Sequence, residues 1–401
     1  MPSFKQSEHK LLLIPGPVEC HDDVLLANAH PSMSHVSPAF APSFAYCIKA
    51  LRKVLYASTA QPFIIAGSGT LGWDLVAANL IEAGQNALVL NSGYFGDSFA
   101  ECLETYGAKV TQVKAPVGGR PSLEDVEAAL KKDKYAVMTF THVRSTKAAS
   151  EIRCGAAPPI ATGVLSDAKA LGELVKRVSP ETLVILDGVC AVASEEIHQD
   201  DWNIDVVVGA SQKGLSTPPG VSITTVSIKA LKVLENRKTP VASYFANYKR
   251  WLPIMQSYEN LTPAYFATPP VNLIYALEAS LKQITEGSPS LEERFQIHRE
   301  ASKKFKKAAE ELGFKQVATE PEAAANGMTA VYVPEGIAPP ALVGALGSRG
   351  IVIAGGLHKD IKTKYVRFGH MGVSVHPSRN DVDVMIKGLQ DAVAEVKHQS
   401  A

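Results

Sequence analysis

The sequence predicts an α/β protein whose large domain is built on a mainly parallel seven-stranded sheet and is followed by a smaller C-terminal α+β domain. Two observations carry this reading. Through the first two thirds of the chain, short apolar runs alternate with stretches of helical periodicity, the signature of βαβ units with helices on both sheet faces. After about residue 287 the pattern changes to a long charged helix, short strands and a closing amphipathic helix.

In chain order, the apolar runs that read as strands are Gln61–Ala66, Asn86–Asn91, Lys109–Val113, Tyr135–His142, Thr182–Asp187, Asp205–Ala210 and Val221–Ser227. Helices are expected between them at Ser43–Ala57, Thr70–Glu82, Phe95–Tyr106, Leu123–Lys132 and Leu165–Val178. The small domain should open on a helix at Ser290–Leu312, with short strands around Ala330–Val333, Ile351–Ile353 and Tyr365–Gly369. Its last helix places Val382, Met385, Ile386, Leu389, Val393 and Val396 three and four apart, on one face. The stretch Thr239–Pro270 is rich in aromatics with little regular pattern and reads as core packing or a subunit interface. Residues 1–20 are read as an N-terminal arm, 21–287 as the large domain and 288–401 as the small one.

Composition narrows the function. The 401 residues balance 40 Lys+Arg against 40 Asp+Glu, so net charge supplies no broad footprint for nucleic acid or an anionic membrane. No apolar run approaches the roughly 18 residues that span a bilayer. Cys20, Cys47, Cys102, Cys154 and Cys190 are odd in number and form no CxxC pair, which argues against a disulfide framework and a structural metal site. MPSFKQSEHK lacks the apolar core of a signal peptide and KHQSA is no organelle address, so a cytoplasmic protein is expected, with peroxisome and mitochondrion left open.

Four places carry chemistry. Gly67, Gly69 and Gly72 form a GxGxxG turn between a strand and a helix, but no acid ends the next strand, as a dinucleotide site would require. A single phosphate on the helix N-terminus, helped by Ser68 and Thr70, fits better, and a ligand-free glycine turn is the plain alternative. Lys213, in Ser211-Gln212-Lys213-Gly214, follows an apolar strand at the edge where α/β sheets gather ligands, and a desolvated lysine there can act as a nucleophile; a surface loop lysine is the alternative. Asp187 ends the apolar strand one βαβ unit upstream, where its carboxylate needs a cation, several donors or a helix-capping role. A pyridinium nitrogen would suit Asp187 and a pyridoxal aldehyde Lys213. Arg367, inside the apolar strand Tyr365–Gly369, suits bidentate carboxylate recognition or a structural ion pair.

Together, in this order, these sites resemble the class V aminotransferases of the fold type I pyridoxal-phosphate superfamily. More narrowly they resemble the alanine:glyoxylate and serine:pyruvate aminotransferases, and most of all their fungal branch. The similarity rests on 12–17 (LLIPGP), 66–70 (AGSGT), 91–96 (NSGYFG), 187–189 (DGV), 209–214 (GASQKG), 265–269 (YFATP) and 365–372 (YVRFGHMG) and spans nearly the whole chain. The resemblance implies that Lys213 is the Schiff-base lysine, Asp187 the partner of the pyridine nitrogen and Val189 the residue beneath the ring. It implies that Phe95 stacks on the other ring face, and that Ser68, Gly69, Thr70 and Gln212 bind the phosphate. Tyr265 and Thr268 would reach the phosphate of the neighbouring subunit in a homodimer with shared active sites, and Arg367 would hold the substrate carboxylate beside the loop of Gly16.

One stretch departs from the family pattern. After Thr141-His142 the family continues with an acid and two or three Ser/Thr, one of which binds the cofactor; this chain has 143–161 (VRSTKAASEIRCGAAPPIA) before Thr162-Gly163-Val164. A strand-to-helix connection normally runs about two to six residues, so 143–161 reads as an insertion. Ser145, Thr146 or Thr162 could replace the missing hydroxyl. A natural lid, a disordered loop and a translated intron are all open.

The expected activity is pyridoxal-phosphate-dependent transamination from a small amino acid, alanine or serine, to a 2-oxo acid, glyoxylate first, with formation of glycine. The alternatives are other chemistry on the same cofactor, a lyase or a cysteine desulfurase using Cys154, and an inactive homologue disabled by the insertion.

Overall fold

The computed structural model describes residues 8–142, 163–356, 361 and 363–400. The insertion 143–161, with Ser145, Thr146 and Cys154, and the candidate cofactor residue Thr162 lie outside the described residues.

Seven strands form the large sheet: β1 (Gln61–Ala66), β2 (Asn86–Asn91), β3 (Lys109–Lys114), β4 (Val137–Thr141), β5 (Leu183–Asp187), β6 (Val206–Ala210) and β7 (Val221–Val226). Their order is β1-β7-β6-β5-β4-β2-β3. All pairs are parallel except the two made by β7, which runs antiparallel to β1 and β6. The sequence explains who sits where. Strands β4, β5 and β6 are continuous apolar or small-residue runs buried at every position, as strands covered on both faces must be. Strand β3 (KVTQVK) alternates and carries lysine at both ends, which suits its place at the sheet edge.

The helices follow the sequence-based limits within a few residues, for example Ala41–Val54, Leu71–Leu80, Tyr94–Thr105 and Leu123–Lys132. Leu165–Val178 shortens to Ala168–Val178, because Asp167 caps the helix at Ala170 N and Val164 bridges to Ala324 instead. The aromatic stretch after Thr239 holds one regular element, the helix Tyr248–Glu259. Tyr248, Trp251, Met255 and Tyr258 form its buried face, while Pro253 lies on the exposed side.

The C-terminal part packs a four-stranded antiparallel sheet, in the order Ala354–Gly355, Tyr365–Gly369, Met328–Tyr332 and Lys315–Gln316, against the helices Leu291–Glu311, Pro339–Ser348 and Asp381–Ser400. A capping box of Ser290 and Glu293 starts the first of these helices. Phe305, Phe368, Leu342 and Leu389 sit in this second core, and a Phe so buried is worth roughly 1.5 to 3 kcal/mol. Leu13 joins that core, and Leu11–Leu12 pairs in parallel with Ile351–Val352. The N-terminal segment is thereby held at the mouth of the large sheet.

Candidate active site

A cleft of about 650 Å³ opens at the carboxyl edge of the parallel strands. Gly16, Ser68, Gly69, Thr70, Phe95, Asp187, Val189, Gln212, Lys213 and Arg367 all line it, although they come from six separate stretches of chain. Tyr265 and Thr268 are exposed and do not line it.

Asp187 ends β5 at 2% exposure. Val189 N–H donates to its Oδ1 at 3.1 Å and the Trp73 indole Nε1–H to its Oδ2 at 3.2 Å. Burial outweighs these donors and the nearby Lys213 charge, and pushes the carboxyl from 3.8 up to about 6. The site thus holds a carboxylate that lacks a directly bonded cation among the described residues.

Lys213 follows β6 and is 9% exposed. Its Nζ donates to the carbonyl oxygen of Pro15. Gly16, at φ +106°, lets that loop come so close that a Cβ there would stand 2.6 Å from Nζ, so only glycine fits. The N-terminal loop therefore touches the lysine as well as sharing the cleft with Arg367.

The glycine turn between β1 and the helix Leu71–Leu80 leaves backbone donors open at a helix N-terminus. Thr70 makes no side-chain capping bond, and no acceptor among the described residues takes up the N–H groups of Ser68, Gly69 and Thr70. A Cβ on Gly69 would lie 3.0 Å from Val189 Cγ2, so the turn packs directly on the residue after Asp187-Gly188. The Gln212 side-chain oxygen is buried with no partner among the described residues. Phe95 stands at the first turn of its helix in edge contact with Trp73, their centroids 5.9 Å apart. Arg367 is 5% exposed, donates from Nε to the Gly355 carbonyl at 2.9 Å, and is lowered to about 10 by burial, so it stays charged.

The profile of the family described as "Aminotransferase class-V" matches residues 23–383. The chain belongs to the class V aminotransferases. It is 41% identical over 374 residues to alanine–glyoxylate aminotransferase 1 of Saccharomyces cerevisiae, covering 90% of this chain and 92% of that one. It is 29% identical over 370 residues to an L-aspartate–glyoxylate aminotransferase of Paracoccus denitrificans, covering 90% and 86%. The crystal structure of an alanine–glyoxylate aminotransferase from Nostoc sp. superimposes with a TM-score of 0.86 at 27% identity, covering 98% of this chain and 97% of that one.

For a class V aminotransferase the cleft also holds residues that sequence reasoning passed over. Trp73 bonds Asp187 from the third position of its helix, and no pattern distinguished its indole from an ordinary core aromatic. Ile14, Tyr94, Thr141 and Ala354 line the cleft as well. Of these, Thr141 could have been found, because it ends β4 at the ligand-gathering edge.

Proposed function

We propose that this class V aminotransferase transfers the amino group of alanine or serine to glyoxylate, with pyridoxal phosphate as cofactor. One observation carries the proposal: a fully buried carboxylate, Asp187, bonded only to two neutral donors among the described residues, shares a cleft with the buried Lys213. The residues fit the cofactor. Asp187 would hold a proton at the pyridine nitrogen, Val189 and Phe95 would enclose the ring, and Ser68, Gly69 and Thr70 would bind the phosphate together with the side-chain N–H2 of Gln212. When bound, pyridoxal phosphate supplies the aldehyde that accepts the amine and a ring that takes up developing negative charge.

Lys213 Nζ takes the proton from the substrate Cα as a general base and later returns it as an acid. Pro15 fixes the starting position of Nζ through its carbonyl, and Gly16 leaves room for that approach. Arg367, charged and buried, binds the carboxylate common to alanine, serine and glyoxylate. The glyoxylate preference is supported by what the yeast and Nostoc relatives are named for. A homodimer belongs to the same proposal: Tyr265 and Thr268, exposed outside their own cleft, suit a reach toward the phosphate in a second copy.

The test is borohydride reduction of the protein loaded with pyridoxal phosphate, then peptide mapping, together with an assay for glycine formed from alanine and glyoxylate. Label on the peptide holding Lys213 and steady glycine formation are expected. Label on another lysine, or no glycine, refutes the proposal.

A further inference from the structure

Four consecutive carbonyls of the loop that carries Lys213 accept hydrogen bonds, three of them from outside the loop. Gln212 O accepts from Val18 N–H at 3.2 Å, Lys213 O from Ser216 N–H at 2.7 Å, Gly214 O from Arg294 Nη2 at 2.7 Å, and Leu215 O from the Ser280 hydroxyl. Arg294 is the one charged group in this set. Its Nε also donates to Ala193 O at 2.9 Å, in the turn that follows Asp187-Gly188-Val189. Both turns contain a non-glycine residue in the left-handed region, Ala193 at φ +64° and Ser216 at φ +46°, conformations that persist only where the surroundings fix them. They also touch: a Cβ on Gly214 would lie 3.0 Å from Ser194 N and 3.1 Å from the Ala193 carbonyl carbon.

Arg294 is buried, and no carboxylate among the described residues pairs with it. A buried guanidinium without a counter-charge is costly, so its two carbonyl bonds are what hold it there. Burial lowers it only to about 10, and it remains a cation at neutral pH. It projects from the helix Leu291–Glu311 of the C-terminal part. One turn on, His298 accepts at Nε2 from Gly372 N–H at 3.0 Å and bonds Arg294 O through Nδ1 at 2.7 Å, so the arginine's own backbone is fixed.

We infer that Arg294 is a positioning residue: by tying the Ala193 and Gly214 carbonyls together it sets where Lys213 Nζ stands relative to Asp187. The inference rests on the roles proposed for Lys213 and Asp187. Arg294 does not line the cleft. Loss of the tie leaves the glycine turn and Arg367 intact and lets the lysine loop shift against β5, and a shift of about 1 Å at reacting atoms can cost about 100-fold in rate.

The full-length protein, Arg294→Met and Arg294→Lys are compared after loading with pyridoxal phosphate. Methionine keeps length and removes every donor; lysine keeps the charge but cannot span both carbonyls. The readouts are kcat and KM for alanine, and the pH midpoint of the visible band of lysine-bound cofactor, which reports the surroundings of Nζ. Arg294→Met should lower kcat by about 100-fold with KM for alanine changed less than about threefold, and should move the midpoint by at least about 0.5 pH unit. Arg294→Lys should fall between Met and the parent. A folded Arg294→Met with parental kcat and midpoint overturns the inference, and so does one that loses only thermal stability. If Arg294→Met does not fold, Arg294→Lys decides, and parental values there overturn it equally. A parent protein without the visible band would instead sink the proposed function, and this inference with it.

Discussion

Replacing Asp187 by Asn separates what this carboxylate costs the fold from what it does for the cofactor. In the cofactor-free chain, burial raises its proton affinity from the ordinary 3.8 to about 6. The folded state therefore holds this proton more tightly than the unfolded state does. The corresponding stability is intact below about pH 4 and is lost as pH rises through about 6, reaching about 3 kcal/mol at about 1.4 kcal/mol for each tenfold change in affinity. Asparagine copies the protonated form: its oxygen can accept from Val189 N–H or from Trp73 Nε1–H, and it carries no charge at any pH. Cofactor-free Asp187→Asn should accordingly be more stable than the parent by about 3 kcal/mol at pH 8 and equal to it near pH 4. Urea unfolding at both pH values measures this, and the parent-minus-variant difference cancels the other titrating groups, including His142, which burial holds near 4. With pyridoxal phosphate bound the sign reverses, because the ring nitrogen loses its counter-charge, and kcat should fall by about 100- to 1,000-fold. A variant less stable than the parent at pH 8, or a difference that ignores pH, would refute the reading of Asp187 as a desolvated charge awaiting a cation.

Two further substitutions probe the cleft. Arg367→Lys keeps the charge but loses the fork suited to a carboxylate, so KM for alanine should rise by at least about 30-fold, the low end of the roughly 2 to 5 kcal/mol such pairs carry, while cofactor affinity is unchanged; steady-state kinetics and a cofactor titration check both parts. Phe95→Ala removes an aromatic wall and should weaken pyridoxal phosphate binding by about 0.5 to 1.5 kcal/mol without moving the borohydride label from Lys213; unchanged affinity would show that the ring packs only on Trp73 and Tyr94.

Strands β4 to β6 were legible because burial on both faces forces an unbroken apolar run, and Asp187 and Lys213 because they end or follow those runs at the carboxyl edge, whereas Val189, Phe95, Gln212 and Gly16 came only from the resemblance to the family. The helix Tyr248–Glu259 was hidden although Tyr248, Trp251, Met255 and Tyr258 repeat three and four apart. Aromatics flanking it on both sides, exposed Tyr244 and Tyr265 among them, blur the period, and Pro253 reads as a helix breaker until its ring is seen on the solvent side. The antiparallel direction of β7 carried no signal in composition, since a strand between two others is buried whichever way it runs.

The bonds that stayed invisible share a physical reason. Trp73, Pro15 and Arg294 act on Asp187 and Lys213 through an indole N–H, a main-chain carbonyl and a guanidinium that bonds main-chain carbonyls. A carbonyl acceptor has no residue type, so a lysine bonded to Pro15 and an arginine bonded to Gly214 leave no partner to recognise in the sequence. A carboxylate at either place would have been read as an ion pair, and it would also have added a second negative charge near Asp187. Holding the two cations with neutral oxygens adds no carboxylate at either bond. Where a buried cation has no acidic partner to suggest its place, only the folded chain shows what it positions.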